Sequence, residues 1–470
     1  MNGHDLLDAI GGIDPKYIID ADKKIPKHNK LIRFKNYYLA AAGLLLLIIA
    51  GIVIKNVQLT PYYESVDETE EIQTLQAIPE GTEAATPISD IAEVDVNMDF
   101  TSSLIDFIEK NGFADKNYMI SPTSFRAALA LAVSGADNET KDELLQAMGF
   151  SSMDELNTWY KNVSASVDSY NEWLKSAKKD FKEYKEYYGD DAQEPDGAFD
   201  LENSIWRNTK SSGELSKKYI KYVKNNYNAT ADNVSADKIT DAVNNWINQN
   251  TNGLIPSISN DLSYADLILV NTLYLRTSWI NDFYEFATEE GDFKTLSGDL
   301  VKKDFMSQQD SFKYYEDENG KFVVLPMNGG INAVFILGDV DDVTEKIATA
   351  SYEEVAVKLP KFESETALSD NQLIEFCKAR GAEQAFTPAA DFSIMSEEMQ
   401  LYITDIIQKT KIKVDEKGIE AAAATAIMMT ESCALEESEV KEFTADEPFK
   451  YMILTDSDTP EILFYGQLVE

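Results

Sequence analysis

The chain has 470 residues, 44% of them hydrophobic and 11% aromatic, enough for one large domain or two to three average ones. Its formal net charge of −40 argues against nucleic acid and anionic membrane surfaces as ligands, because both would repel the protein. Basic substrates or solubility remain as reasons for this charge.

Histidine and cysteine are both scarce. The two histidines, His4 and His28, precede the apolar segment described next, so the rest of the chain can form no Ser-His-Asp or Cys-His arrangement and no histidine-bearing zinc site. Cys377 and Cys433 are too few for a disulfide scaffold. Aspartic or Ser-Lys chemistry stays open on this evidence. We expect no cofactor and no metal.

An uncharged run, YYLAAAGLLLLIIAGIVI, begins at Tyr37. At 1.5 Å per residue it covers roughly 27 Å, close to the hydrocarbon core of a bilayer. Basic residues precede it and acids dominate after it, which predicts a cytoplasmic segment 1–36, an anchor helix 37–55 and an outward-facing remainder. The alternatives are a cleaved signal peptide, which the long basic region and the lack of a small-x-small site disfavour, and a buried core helix, which the charge-free length disfavours.

Residues 56–97 are acidic, contain Thr and Pro, and show no sustained period, which predicts a disordered spacer. Helical patterns follow from residue 98. Ser121 is a predicted N-cap with Pro122 at the first helical position and Gly135 as the stop. The charged stretch 154–197 predicts a solvated helix pair or an insertion. Apolar β-rich runs later in the chain make the fold class α+β.

The segment 415–435 reads DEKGIEAAAATAIMMTESCAL and follows a predicted strand, TKIKV. Every second residue from Ile419 to Met429 is uncharged, which predicts a strand that could be buried on one face. An alanine-rich helix or a disordered linker is the alternative.

The string EKGIEAAAATA resembles the hinge of the reactive-centre loop of serpins, inhibitors that trap a protease by inserting this loop into a β-sheet. NYMISPTSFRAALALAVSGA, AVNNWINQNTNGLI, LPKFESE and FTADEPFKYMILTDSDTPEILFYGQLV resemble other serpin motifs, in the family's order, over residues 98–470. The resemblance implies a large main sheet, two smaller sheets, eight to nine helices and an exposed loop.

The resemblance also implies the loop's functional residues. Its hinge would comprise Glu416, Gly418, Ile419, Glu420, Ala421, Ala422, Ala423, Ala424 and Thr425. The family's spacing from Gly418 places the scissile bond between Ser432 and Cys433, with Glu431 as a neighbouring candidate for the specificity residue. A serine there favours elastase-like or subtilisin-like proteases. Trypsin-like enzymes are disfavoured because no Lys or Arg occurs between Lys417 and Lys441.

Family positions further predict a hydrogen-bonded cluster where the sheet opens, formed by Ser121, Ser124, Asn271 and Gln408, with Trp279 near the hinge. Core packing is the alternative for Asn271 and Trp279. Many relatives have histidine where this chain has Gln408, and glutamine does not titrate. The first inserting residue, usually Thr, Ser or Val, is Ile419, which is apolar and compatible with burial. Cys433 could be a redox-sensitive thiol or a small apolar residue, and Cys377 fits a helix core.

These observations predict a monomeric, membrane-anchored, outward-facing bacterial serpin that inhibits serine proteases as a suicide substrate and performs no catalysis itself. Three alternatives remain. They are a non-inhibitory binding protein with the serpin fold, an inhibitor of cysteine proteases, and a hydrolase, which the histidine count disfavours.

Overall fold

The computed structural model describes Asp95 and residues 97–185, 194–210, 213–368, 371–396, 400–419 and 440–470. The chain divides into two units, Met1–Ala85 and Thr86–Glu470, and all described residues belong to the second. In the described part no helix is both long and apolar enough to cross a membrane. The anchor predicted at 37–55 lies outside the described residues.

The described residues contain eight α-helices, in agreement with the number that the resemblance implies. They are α1 Phe100–Ile108, α2 Pro122–Gly135, α3 Asn138–Ala147, α4 Met153–Glu183, α5 Lys217–Tyr227, α6 Ile239–Asn250, α7 Val343–Thr349 and α8 Gln372–Ala379.

Helix α2 begins and ends where its sequence predicts. Ser121 caps it by accepting a hydrogen bond from the Ser124 N–H, and Pro122 occupies the first turn, where no intrahelical donor is needed. Nearly the whole helix is buried, since it packs against strands of both β-sheets. Its side chains therefore join the two sheets into one core.

The first sheet has six strands in the order β10-β11-β12-β4-β2-β3. Their bounds are β2 Ala198–Asn208, β3 Thr230–Val234, β4 Leu267–Ser278, β10 Phe362–Leu368, β11 Asp405–Asp415 and β12 Gly418–Ile419. The short strand β12 lies between β11, which precedes it in the chain, and β4, which is distant in sequence, and it pairs with both.

The second sheet has nine strands in the order β1-β15-β14-β8-β7-β6-β9-β13, with β5 paired to β6. Their bounds are β1 Tyr118–Ile120, β5 Glu289–Lys294, β6 Leu300–Glu316, β7 Gly320–Met327, β8 Ile331–Gly338, β9 Ser351–Pro360, β13 Lys441–Thr444, β14 Phe449–Thr455 and β15 Ile462–Leu468. The expected two smaller sheets are thus continuous, because the long strand β6 pairs with β7 near its end and with β9 along most of its length.

The sequence predicts a solvated helix pair or an insertion for the charged stretch 154–197. Its first part is helix α4, which ends at Glu183, and because 186–193 lie outside the described residues the remainder stays a prediction. Leu156, Tyr160, Val163, Tyr170 and Leu174 are buried along one side of α4. The many lysines and glutamates of α4 occupy its exposed side, as in an amphipathic helix.

Candidate functional site

The six-stranded sheet contains a place for an additional strand. Strands β4 and β11 run parallel and pair only through Asp405 with Ile268, Ile406 with Leu269 and Ile407 with Val270. Among the described residues, no ladder pair joins 408–413 to 271–276. The backbone groups that face each other across this slot are where an inserted strand would bind.

Strand β12 already occupies one end of the slot. Ile419 pairs with Val414 of β11 and Thr277 of β4, and Gly418 pairs with Asp415 and Ser278. Gly418 has a φ of 149°, and a Cβ there would collide with the Thr277 carbonyl oxygen. Glycine is therefore required for the chain to turn into the sheet here.

Ile419, the residue that departs from the family's usual Thr, Ser or Val, is buried. Its side chain exposes only 3% of its surface and belongs to the same hydrophobic cluster as Trp279, Phe283 and Val414. An apolar residue of this size is accommodated at the start of the slot. The hinge thus contributes Gly418 and Ile419 to the sheet with the loop uncleaved.

Trp279 holds the turn that leads to β12. Its indole Nε1 donates to the Asp415 carbonyl at 2.9 Å, and its backbone N–H donates to the Lys417 carbonyl at 3.1 Å. Phe283 N–H donates to the Glu416 carbonyl at 2.9 Å. The predicted place of Trp279, near the hinge, is the place that the structure gives it.

Glu416 forms a buried ion pair at the hinge. Its carboxylate lies 2.9 Å from the Lys361 ammonium and accepts a hydrogen bond from the Thr288 hydroxyl at 2.8 Å. Burial raises the pKa of this carboxyl, but the hydrogen bonds and the charge of Lys361 outweigh burial, so the pKa lies below its usual value. The hydrogen bond that the Lys361 ammonium donates to Glu416 raises the pKa of Lys361. Both groups are charged at neutral pH.

At the other end of the slot, Gln408 and Ser121 are joined by two hydrogen bonds. The Ser121 N–H donates to Gln408 Oε1 at 3.0 Å, and Gln408 Nε2 donates to the Ser121 carbonyl at 2.9 Å. The Ser121 hydroxyl donates to the Leu463 carbonyl at 2.7 Å, and Ser124 joins through its own N–H. Strand β11 is thereby attached to the start of α2 and to β15.

Asn271 has a different partner from the predicted one. Its side-chain amide donates to Asn203, its ladder partner on β2, and Asn203 donates in turn to the Tyr160 hydroxyl at 2.9 Å. Within the described residues its Oδ1 has no hydrogen-bond partner. The correction has a geometric cause, because the β2–β4 ladder places two asparagines directly opposite each other and removes Asn271 from the Gln408 cluster.

Sequence reasoning missed several residues of this region. Lys361 and Thr288 hold Glu416, and Asn203 holds Asn271. Thr410 of β11 also attaches the slot to β1, because its hydroxyl donates to the Met119 carbonyl at 2.6 Å. These partners are distant in sequence, and only the strand order brings them together.

The remaining predicted loop residues lie outside the described part of the chain. They are Glu420, Ala421, Ala422, Ala423, Ala424, Thr425, Glu431, Ser432 and Cys433. Cys377 is buried in α8, and burial raises the pKa of its thiol. Its prediction as a core residue is confirmed.

The sequence and the fold are similar to those of known proteins. The family model "Serpin (serine protease inhibitor)" matches residues 95–470. An uncharacterized serpin-like protein of Thermococcus kodakarensis is 27% identical over 380 residues, which is 76% of this chain and 81% of the relative. Antitrypsin of Bombyx mori is 26% identical over 406 residues, 82% of this chain and 95% of the relative.

Among solved structures, Serpin48 of the insect Tenebrio molitor matches with a TM-score of 0.60 and 25% identity, over 79% of this chain and 96% of that one. The chain therefore belongs to the serpin family. Members of this family are generally protease inhibitors and not enzymes, although some serpins do not inhibit.

Proposed function

We propose that this serpin inhibits serine proteases as a suicide substrate. The observation that supports the proposal is β12, whose residues Gly418 and Ile419 already lie between β4 and β11 at the head of a slot that no described strand occupies further along. A loop attached there would follow the same path as far as Thr425, opposite Asn271 and Gln408, and beyond that point it would separate the three β4–β11 ladder pairs. Each backbone hydrogen bond that it forms adds about 0.5–1.5 kcal/mol.

The reaction follows from the family. The hydroxyl oxygen of the protease's catalytic serine attacks the Ser432 carbonyl carbon, the bond to Cys433 breaks, and the Cys433 nitrogen takes the proton. Ser432 is then held to the protease as an ester. Insertion of residues 420–432 between β4 and β11 would carry the acylated protease away before water hydrolyses the ester.

The alternation in the hinge suits this insertion. Residues 421, 423, 425, 427 and 429 have the same parity as buried Ile419 and are uncharged, so their burial leaves no unpaired charge. Glu431, beside the scissile bond, is the first charged residue of this parity. The one charged hinge residue beyond Ile419, Glu420, has the opposite parity.

We further propose proteases with small or broad pockets, elastase-like or subtilisin-like, as targets, because Ser432 is small and no cation lies near it in the loop.

The test mixes residues 86–470 with pancreatic elastase or subtilisin. These residues form a unit of their own, and the family model and the solved relative match this part of the chain. We expect a band at the summed mass that survives denaturation, and a C-terminal peptide that starts at Cys433.

Two hinge variants supply the matched control. Ala423→Arg places a cation on the buried side of the inserted strand, so we expect cleavage without a stable complex. Ala424→Arg adds the same charge at the opposite parity and is expected to retain most complex formation. Clean cleavage of the unmodified chain by every protease tried would overturn the proposal.

The charge distribution near the N-terminus suggests where the protein is located in the cell. We propose a single-pass anchor at 37–55 that holds the serpin domain outside a bacterial cell, supported by the charge bias around the uncharged run. With the full chain expressed in bacteria, a protease added outside spheroplasts should remove the serpin domain and leave it in the soluble fraction. A domain protected until the membrane is lysed would contradict this orientation.

A further inference from the structure

A cavity of about 490 Å³ lies away from the slot, between the end of α2 and the outer side of α5. Val133 and Tyr219 line it and are fully or almost fully buried, while Met153, Tyr222 and Ile394 are partly exposed. The size falls within the range of small-molecule pockets. Its interior is therefore an apolar space open to solvent on one side.

The floor of this cavity is rigid. The Tyr219 hydroxyl donates to the Leu131 carbonyl of α2 at 2.8 Å, which fixes the ring. Gly135, at the end of α2, lies so close to Met395 and Tyr219 that a Cβ there would collide with both. The cavity is thus a preformed feature of how α2, α5 and the segment around Met395 pack.

Three lysines surround the cavity: Lys141 from α3, and Lys218 and Lys221 from α5. Among the described lining residues there is no aspartate or glutamate. This is unusual for a chain that has 82 acidic and 42 basic residues. Within the described ranges, none of the three lysines has a carboxylate within ion-pair distance, and Lys218 and Lys221 are exposed.

The apolar interior and the three surrounding lysines together favour one class of ligand. An apolar body fits the space between Val133, Tyr219 and Met153, and a single anionic group would lie among the ammonium groups at its mouth. A neutral apolar molecule would leave the lysines unused, and a small inorganic anion would leave the apolar interior unfilled. We propose that this cavity binds a soluble amphipathic organic anion, of the class of medium-chain and long-chain carboxylates.

This site is independent of the protease-inhibitory activity, because it contains no residue of the slot or hinge. Its ligand would contact α2 near the C-terminal end, whereas the slot contacts Ser121 at the other end. Loss of binding and loss of inhibition can therefore be measured separately on the same protein.

The test is calorimetric titration of residues 86–470 with dodecanoate below its micelle-forming concentration. We expect saturable binding at one site, much weaker binding of butyrate, and no binding of dodecyltrimethylammonium, which has the same chain with the opposite charge. The variant with Lys141→Gln, Lys218→Gln and Lys221→Gln should bind dodecanoate at least about tenfold more weakly. It should fold normally, because these side chains are exposed or half-buried.

The matched control changes Lys175, Lys179 and Lys182 to glutamine, an equal change of charge on a second lysine-lined depression along α4. We expect its affinity for dodecanoate to stay within about twofold of the unmodified protein. Absence of saturable binding, equal binding of the cationic analogue, or an equal loss in the control variant would each overturn the proposal.

Discussion

Replacing Ile419 with alanine tests whether the hinge belongs to the sheet before any protease acts. The isoleucine exposes 3% of its surface and is paired on both sides. Truncating a buried isoleucine to alanine costs about 2–5 kcal/mol of unfolding free energy. Because β12 has only two residues and can relax, we expect about 2–3 kcal/mol, which lowers the unfolding midpoint of a domain this size by about 3 °C.

The assay is thermal or urea unfolding of residues 86–470, followed by tryptophan fluorescence. Trp279 is a direct reporter, since its indole is hydrogen-bonded to the turn that carries Ile419. If Ile419 is buried both before and after cleavage, the substitution destabilises both states alike. The number of inhibitor molecules consumed for each protease trapped should then be unchanged.

The opposite pair of results would refute this reasoning. An unchanged unfolding midpoint with more inhibitor consumed per trapped protease would mean that Ile419 enters the sheet only after cleavage. Val440→Ala serves as the control. Val440 is also apolar but 42% exposed, so its truncation should change the unfolding free energy by no more than about 0.5 kcal/mol.

Three further substitutions have defined outcomes. Gly418→Ala should cost about 1–3 kcal/mol of unfolding free energy, because the φ of 149° and the Thr277 carbonyl leave no room for a Cβ. The hinge should then be cleaved faster in limited proteolysis. Glu416→Gln should lower the unfolding free energy by about 1 kcal/mol at pH 7 and progressively less below pH 4.5, because a carboxyl with a lowered pKa stabilises the fold only while ionised. Urea unfolding at a series of pH values would measure this difference. Burial and the charge of Asp200 raise the pKa of Glu202 to about 7, so the fold loses stability as the pH rises from about 4.5 to 7. Glu202→Gln should therefore raise the unfolding free energy by about 1–2 kcal/mol at pH 8 and have little effect at pH 4. An equal effect at both pH values would contradict this assignment.

Local signals in the sequence predicted local structure well. Ser121, Pro122 and Gly135 specify both ends of α2 through capping, a fixed φ and the loss of a side chain, and the structure agrees at each end. The alternation around Ile412 and Val414 likewise predicted β11. In α4 the charged composition predicted a solvated helix, but it did not show which side packs against the core.

Contacts between distant segments could not be predicted in this way. Strands β10 and β11 and helix α8 all lie between Lys361 and Glu416 in the sequence, and no local pattern around either residue indicates that they form an ion pair. The family position of Asn271 suggested Gln408 as a partner, but cross-strand register selected Asn203. The sequence predicted a strand from Ile419 that could be buried on one face, but it did not show that β12 is already paired with both β4 and β11.

The strand order of the nine-stranded sheet has a consequence for biosynthesis. β1, near residue 118, has β15 as its neighbour, and β14 and β15 separate it from β8. The ribosome must therefore deliver almost all of residues 86–470 before this sheet can close, and until then β1 and one edge of β8 lack their partner strands. Such long-range pairing is slow and prone to aggregation. We expect secretion of the unfolded chain to be compatible with this timing, since a stable domain cannot form before translation has passed β15.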